Sequence, residues 1–255
     1  EVMLQQTRVD TVIPYYQRFL ERFPTPEALA EAEEDAVLSH WSGLGYYRRA
    51  RLLHAGVREV VSQYGGEVPE DEEARRALPG IGRYTAGAIG SIAFDKEEPI
   101  VDGNVTRVLA RLFRIDTPVG ASTTTKRLWE EAGRLVPGER PGTLNQALME
   151  LGATVCAPKQ PRCEACPVSR DCAALAHGEV AALPVPRPRK PPRQVKLTAV
   201  IATRGRGTKK SVWLVKGKQA LFGGLWGVPM SEGEAQGALR EAGLRARLHP
   251  EPHAL

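Results

Sequence analysis

The chain holds four cysteines, Cys156, Cys163, Cys166 and Cys172, and they fall in one short stretch with the spacing C-x6-C-x2-C-x5-C. Thiolates this close in sequence suit one four-ligand metal centre better than a covalent framework for a whole domain. A structural zinc site usually shows two C-x2-C knuckles, and only Cys163 and Cys166 have that step. Two disulfides would staple a single loop and leave the rest of the chain untouched. An iron–sulfur cluster is therefore expected first, zinc second and disulfides last. That ranking implies a reducing, cytoplasmic compartment.

Two further motifs precede the cysteines. Leu78-Pro-Gly-Ile-Gly82 leads into an Ala/Gly-rich helix from Arg83, which reads as a helix–turn–helix with a two-glycine turn. Leu78 opens that turn. Gly80 and Gly82 let a ligand approach the backbone, and the amides at the following helix start carry partial positive charge, which suits one phosphate without reading a base. The plainer alternative is a tight helix connection. Val101-Asp102-Gly103-Asn104 then precedes a helix starting near Val105. An Asp there is most often an N-cap. The same position also sets its carboxylate at a positive helix end, where it can stabilise a cation.

The elements that position these motifs are mostly helical up to about residue 183. Val12, Ile13, Tyr16, Phe19, Leu20 and Phe23 share one face at helical spacing, with Pro14 expected near the helix start. Further helices fit Asp35–Trp41, Arg48–Tyr64 (stopped by Gly65-Gly66), Tyr84–Phe94, Val105–Phe113, Thr124–Val136 and Leu144–Val155. Residues 184–193 form a proline-rich basic linker, expected to be extended and solvated. Strands follow at Val195–Thr203 and Ser211–Lys216, then a helix at Glu232–Leu244, giving a small α+β domain over 194–255. With 255 residues, 42% hydrophobic and 25% charged, the chain has the composition of a globular protein, expected in two domains. Its net charge of +5 permits a polyanionic partner. No apolar run approaches the ~20 residues needed to span a bilayer, and no membrane association is expected. The chain opens at Glu1 without an initiator Met and ends at Leu255 in a strand-like stretch, as a fragment cut at both ends would.

Hairpin, loop aspartate and cysteine ladder, in that order, resemble the helix–hairpin–helix, iron–sulfur DNA glycosylases over residues 1–175. The resemblance implies a two-lobed, mainly α fold, double-stranded DNA bound across the cleft by a monomer, a [4Fe–4S] cluster on Cys156, Cys163, Cys166 and Cys172, and a target nucleotide flipped into a pocket. Members resembling endonuclease III carry a lysine nucleophile just after the hairpin. Tyr84 stands at that position and cannot form a Schiff base, which implies a monofunctional hydrolase. Glu1-Val-Met-Leu-Gln-Gln-Thr7 resembles the opening catalytic helix of the MutY-type adenine DNA glycosylases, which remove adenine mispaired with 8-oxoguanine or guanine.

On that resemblance Glu1 is the general acid that protonates adenine N7, because the base leaves poorly until a ring nitrogen is protonated. Asp102 balances the oxocarbenium-like sugar, and Asn104 orients the carboxylates. Gln146 contacts the flipped adenine, with Leu4 and Val9 lining its pocket or serving as plain core. Gln6, Thr7, Leu44 and Tyr46 match positions that wedge into the duplex beside 8-oxoguanine, the last two from an exposed Gly43-Leu-Gly-Tyr-Tyr47 loop. Residues 221–229 weakly resemble the Nudix-like lesion-recognition domain of the same family. Of the carboxylates a working Nudix hydrolase needs, only Glu241 survives, so base checking and not hydrolysis is implied. Two rivals remain: an oxidised-pyrimidine glycosylase with lyase activity, and a non-catalytic iron–sulfur DNA-binding protein.

Overall fold

Local signals start most of the helices. In a computed structural model, whose described residues are 2–188, 191–192, 194–195, 197–205, 211–217, 225–232, 235–241 and 243, the chain divides into two compact units, residues 1–188 and 189–255. The first is helical. After a 3-10 turn at Val2–Leu4 come α1 (Val9–Arg22), α2 (Pro26–Ala30), α3 (Glu34–Trp41) and α4 (Arg48–Tyr64). Then follow α5 (Glu72–Ala77), α6 (Arg83–Ala93), α7 (Gly103–Leu112), α8 (Ser122–Leu135), α9 (Pro141–Glu150) and α10 (Ala173–Ala176).

Three of these helices, α2, α5 and α10, escape a reading based on apolar periodicity, because they are too short to show it. α2 is started by Thr25, whose hydroxyl accepts from the Ala28 N–H at 3.2 Å with Pro26 at the first helical position. α5 is started by Asp71, which caps Ala74 at 2.8 Å. Gly65 ends α4 with φ +64°, the left-handed conformation that glycine adopts freely.

Pro14 corrects one expectation. It lies inside α1, five residues after the first helical residue Val9, so the helix begins in front of the proline and accepts the loss of one backbone donor. The helix expected to run to Val155 ends instead at Glu150 and continues as one π turn over Leu151–Val155. Gly152 in that turn lies against the start of α7: a Cβ there would come within 2.6 Å of Asn104 Cβ and 2.9 Å of Asn104 O. The wider turn therefore accompanies a close approach between the cysteine segment and the aspartate loop.

Two hydrophobic clusters hold this unit. The first gathers Met3, Val12, Phe19, Phe23, Leu29, Val37, Leu38, Trp41, Leu44 and Ala50 from the N-terminal turn through α4. Phe19 meets Trp41 edge-on, with ring centroids 6.2 Å apart. The second gathers Ala88, Ile100, Val105, Leu109, Ala110, Ile115, Leu128 and Ala132 from α6, α7, α8 and the segments on either side of α7. Arg75, fully buried on α5, pairs with Glu98 in the segment leading to Asp102 and donates to Pro69 O at 3.1 Å.

The described residues of the second unit form three antiparallel strand pairs and one helix. β1 (Leu197–Ala199) pairs with β6 (Met230–Glu232), β2 (Thr203–Arg204) with β3 (Ser211–Val212), and β4 (Val215–Lys216) with β5 (Trp226–Gly227). α11 covers Ala235–Glu241. Glu232, expected to begin the helix, is the last residue of β6, where it pairs across from Leu197. The aromatic-glycine run at 221–229 is described only from residue 225.

Candidate active site and cysteine centre

Asp102 is the N-cap of α7. Its Oδ1 accepts from the Val105 N–H at 2.7 Å, and its Oδ2 accepts from Asn104 Nδ2 at 3.3 Å. The cap and the candidate counter-anion are thus one group, with its charge aligned to the helix dipole. Asn104 is oriented in turn by Arg107, one turn further along α7, which donates to Asn104 Oδ1 at 2.8 Å. The same guanidinium donates to Gly152 O at 2.6 Å and to Cys156 O at 2.7 Å. A continuous hydrogen-bonded path therefore runs from the Asp102 carboxylate to the first cysteine. Burial lowers the Arg107 pKa, and Cys156 and then Asp102 oppose that shift across the charge of Arg111.

The four cysteines line one small cavity together with Arg111, Val155, Pro161, Leu175 and Val180. Arg111 is buried, yet it donates to Leu183 O at 2.9 Å, Ala157 O at 2.9 Å and Cys156 Sγ at 3.3 Å. A guanidinium spent on a sulfur in this position is what a thiolate ligand would demand. Burial raises the Cys163 thiol pKa, and charge on Cys156, Cys172 and Cys166 adds to that, against Arg111. Among the described residues, no three His, Cys, Asp or Glu side chains are arranged to hold a single metal ion.

The hairpin joins α5 to α6. Gly80 has φ +83°, and a Cβ there would stand 2.8 Å from Leu52 Cβ of α4, so both conformation and space require glycine. Gly82 caps α6, and both glycines are exposed. Leu78, expected among the DNA contacts, is instead buried beneath the turn, while Gly80 and Gly82 are exposed and Pro79 and Ile81 are half-buried. Tyr84, at the second residue of α6, donates to Met149 Sδ at 3.6 Å and packs against the second cluster.

Other expected site residues fall apart from these. Leu4 and Val9 are exposed and line an apolar groove of about 800 Å3 with Ile13, Tyr16, Leu20 and Ile89; Tyr84, Asp102 and Gln146 are not on that groove. Gln146 is exposed and donates to Gly142 O at 3.2 Å, whereas its neighbour Asn145 is buried and ties α9 to Ser91 Oγ (2.8 Å) and Glu98 O (2.9 Å). Tyr46 is 63% exposed at its loop tip and Gln6 is exposed at its own. Leu44 departs from the expected exposed tip: it is buried beside Trp41, because an apolar residue between two glycines can turn inward at no polar cost. Thr7 is half-buried. Glu1 lies outside the described residues. Periodicity and motif spacing also miss Arg49, Arg107, Arg111 and Asn145; the only trace they leave is a charged or amide residue on an otherwise apolar helix face.

Comparison with known proteins fits this geometry. A family model described as HhH-GPD superfamily base excision DNA repair protein matches residues 1–134. The adenine DNA glycosylase of Rattus norvegicus is 52% identical over 188 residues, covering 72% of this chain and 36% of that protein. That of Homo sapiens is 50% identical over 175 residues (68% and 32%), and that of Buchnera aphidicola subsp. Schizaphis graminum is 40% identical over 174 residues (68% and 50%). The chain spans about a third to a half of the length of these relatives. Among solved structures, a thermostable thymine-DNA glycosylase is similar at TM-score 0.61 and 31% identity, covering 69% of this chain and 81% of that one. A non-covalent endonuclease III–DNA complex is similar at TM-score 0.60 and 25% identity, with the same coverage. Matching more than half of its length to one model and sharing its helical frame with these enzymes, the chain belongs to the HhH-GPD superfamily of base excision DNA repair proteins.

Proposed function

We propose that this protein is a monofunctional adenine DNA glycosylase, which flips adenine out of mispairs with 8-oxoguanine or guanine in duplex DNA and hydrolyses its N-glycosidic bond. The observation that carries the reading is the Asp102 carboxylate fixed by Val105 N–H and Asn104 at the start of α7, in a chain half identical to proteins named adenine DNA glycosylase. As the bond from the sugar to adenine breaks, Asp102 stabilises the positive charge left on the sugar, and water adds to it. Glu1 supplies the proton to the leaving base and afterwards assists the water; that role rests on the Glu1–Thr7 motif alone. Tyr84, where a lyase would carry lysine, leaves the strand uncut. Gly80 and Gly82 hold a phosphate, Gln146 reads the adenine edge, and Gln6, Thr7 and Tyr46 enter the duplex. Leu44 contributes there through its backbone.

Cys156, Cys163, Cys166 and Cys172 hold a [4Fe–4S] cluster. When bound, that group braces the loop after α9 and needs no part in the bond cleavage. The protein acts as a monomer, with a helical domain over 1–183, a basic linker over 184–193 and a Nudix-like recognition domain over 194–255. Among the described residues no helix is long and apolar enough to cross a membrane. The test is incubation with duplexes bearing adenine opposite 8-oxoguanine, adenine opposite guanine, or thymine glycol. Strand breaks only in the adenine strand and only after alkali support the reading. Nicking without alkali supports a lyase, and binding without release supports a scaffold protein.

A further inference from the structure

Arg49, near the start of α4, gathers more acceptors than any other described side chain, and they belong to two separate loops. Its Nη1 donates to Val2 O at 3.0 Å, Met3 O at 3.1 Å and Gln5 O. Its Nη2 donates to Thr7 Oγ1 at 3.2 Å, Leu44 O at 3.3 Å and Gly45 O at 3.4 Å. The face of the guanidinium lies 5.5 Å from the ring centres of both Trp41 and Tyr46. Only its buried Nε has no partner.

Both loops carry backbone that would not hold itself. Gln6 has φ +59° and Tyr46 has φ +47°, a region that L side chains rarely adopt, and each residue stands exposed at its tip. Such conformations persist where surroundings over-determine them, and they gather at functional sites. Arg49 supplies that determination for both tips at once, since one planar fork spans acceptors that a point charge could not.

We propose that Arg49 is a positioning residue that locks the Gln6–Thr7 and Leu44–Tyr46 loops into one rigid wedge for opening the duplex. The inference rests on the reading that these loops enter DNA. A wedge ordered in advance spends none of its binding free energy on ordering itself at the lesion. Arg49 touches neither sugar nor base in this scheme; its effect passes through Gln6 and Tyr46.

The test compares wild type, Arg49→Ala and Arg49→Lys, each loaded with its cluster and checked for helical content. Single-turnover adenine release is measured from a fully paired duplex with adenine opposite 8-oxoguanine, and from a duplex whose adenine sits in an unpaired bubble and is already unstacked. A misplaced wedge predicts a loss of about 100-fold for Arg49→Ala on the paired duplex and under about tenfold on the bubble. Arg49→Lys falls between wild type and Arg49→Ala on the paired duplex, and it carries the comparison if the alanine variant does not fold. Equal losses on both duplexes, or no loss on the paired one, overturn the proposal. If wild type releases no adenine from either duplex, the glycosylase reading fails by itself. The wedge is then judged by 2-aminopurine fluorescence beside the mispair, where a rise with wild type that Arg49→Lys fails to match supports it and an equal rise overturns it.

Discussion

Replacing Arg107 by alanine should damage stability and chemistry together, because one guanidinium serves both. It makes three short bonds, to Asn104 Oδ1, Gly152 O and Cys156 O, at 2.6 to 2.8 Å. A hydrogen bond from a charged donor contributes about 1.5–3 kcal/mol net. The three share a single side chain and part of it meets solvent, so their sum must be discounted; Cys156 O also keeps a longer contact from Arg111 at 3.4 Å. A loss of about 3 kcal/mol on unfolding is expected, read from the urea midpoint at constant slope. Asn104 also loses the group that fixes its amide toward Asp102, so single-turnover release should fall about 10- to 100-fold with a smaller loss of DNA affinity. Arg107→Lys keeps the charge but not the fork, and should recover part of the stability and less of the rate. A stable Arg107→Ala protein with an unchanged release rate would refute the idea that the path from Cys156 to Asp102 orients the site.

Three other outcomes are expected. Arg75→Ala leaves Glu98 unpaired in the interior and should cost about 3–5 kcal/mol in urea denaturation, while Arg75→Met with Glu98→Gln should cost much less. Gly80→Ala, forced into φ +83° against Leu52, should lose about 1–2 kcal/mol and weaken binding to any duplex, lesion or not, by filter or polarisation titration. His54 is buried, and burial followed by the nearby Arg58 lowers its pKa. Above about pH 6.5 both folded and unfolded chains hold it neutral, and it adds no pH dependence. Below that, the unfolded chain takes up a proton that the folded chain refuses, so stability should fall as pH drops from about 6.5 toward the lowered value, and His54→Gln should flatten that slope.

What the sequence makes legible is whatever rests on a local rule. α4 ends where Gly65 permits a left-handed residue, the hairpin turns at Gly80, and Asp102 caps α7, each by a preference confined to a few residues. α1 was readable as amphipathic but not as half exposed, since whether Ile13 or Tyr16 meets a partner depends on elements distant in sequence. Leu44 and Leu78 illustrate the same limit. Both sit in glycine loops that look exposed and both are buried, Leu44 within the cluster built from the N-terminal turn through α4. The arginines that organise the site, Arg49, Arg75, Arg107 and Arg111, gave no motif at all. Their acceptors are mainly backbone carbonyls, and a carbonyl leaves no mark on residue type.

Free adenine in solution is the most direct readout of the central claim. A duplex with adenine opposite 8-oxoguanine, incubated with the cluster-loaded protein and resolved by liquid chromatography, should yield one free base per abasic site from wild type. With Asp102→Asn it should yield at least about 100-fold less, while the DNA remains bound. Bound DNA with no free base from wild type, or undiminished release from Asp102→Asn, would contradict the account.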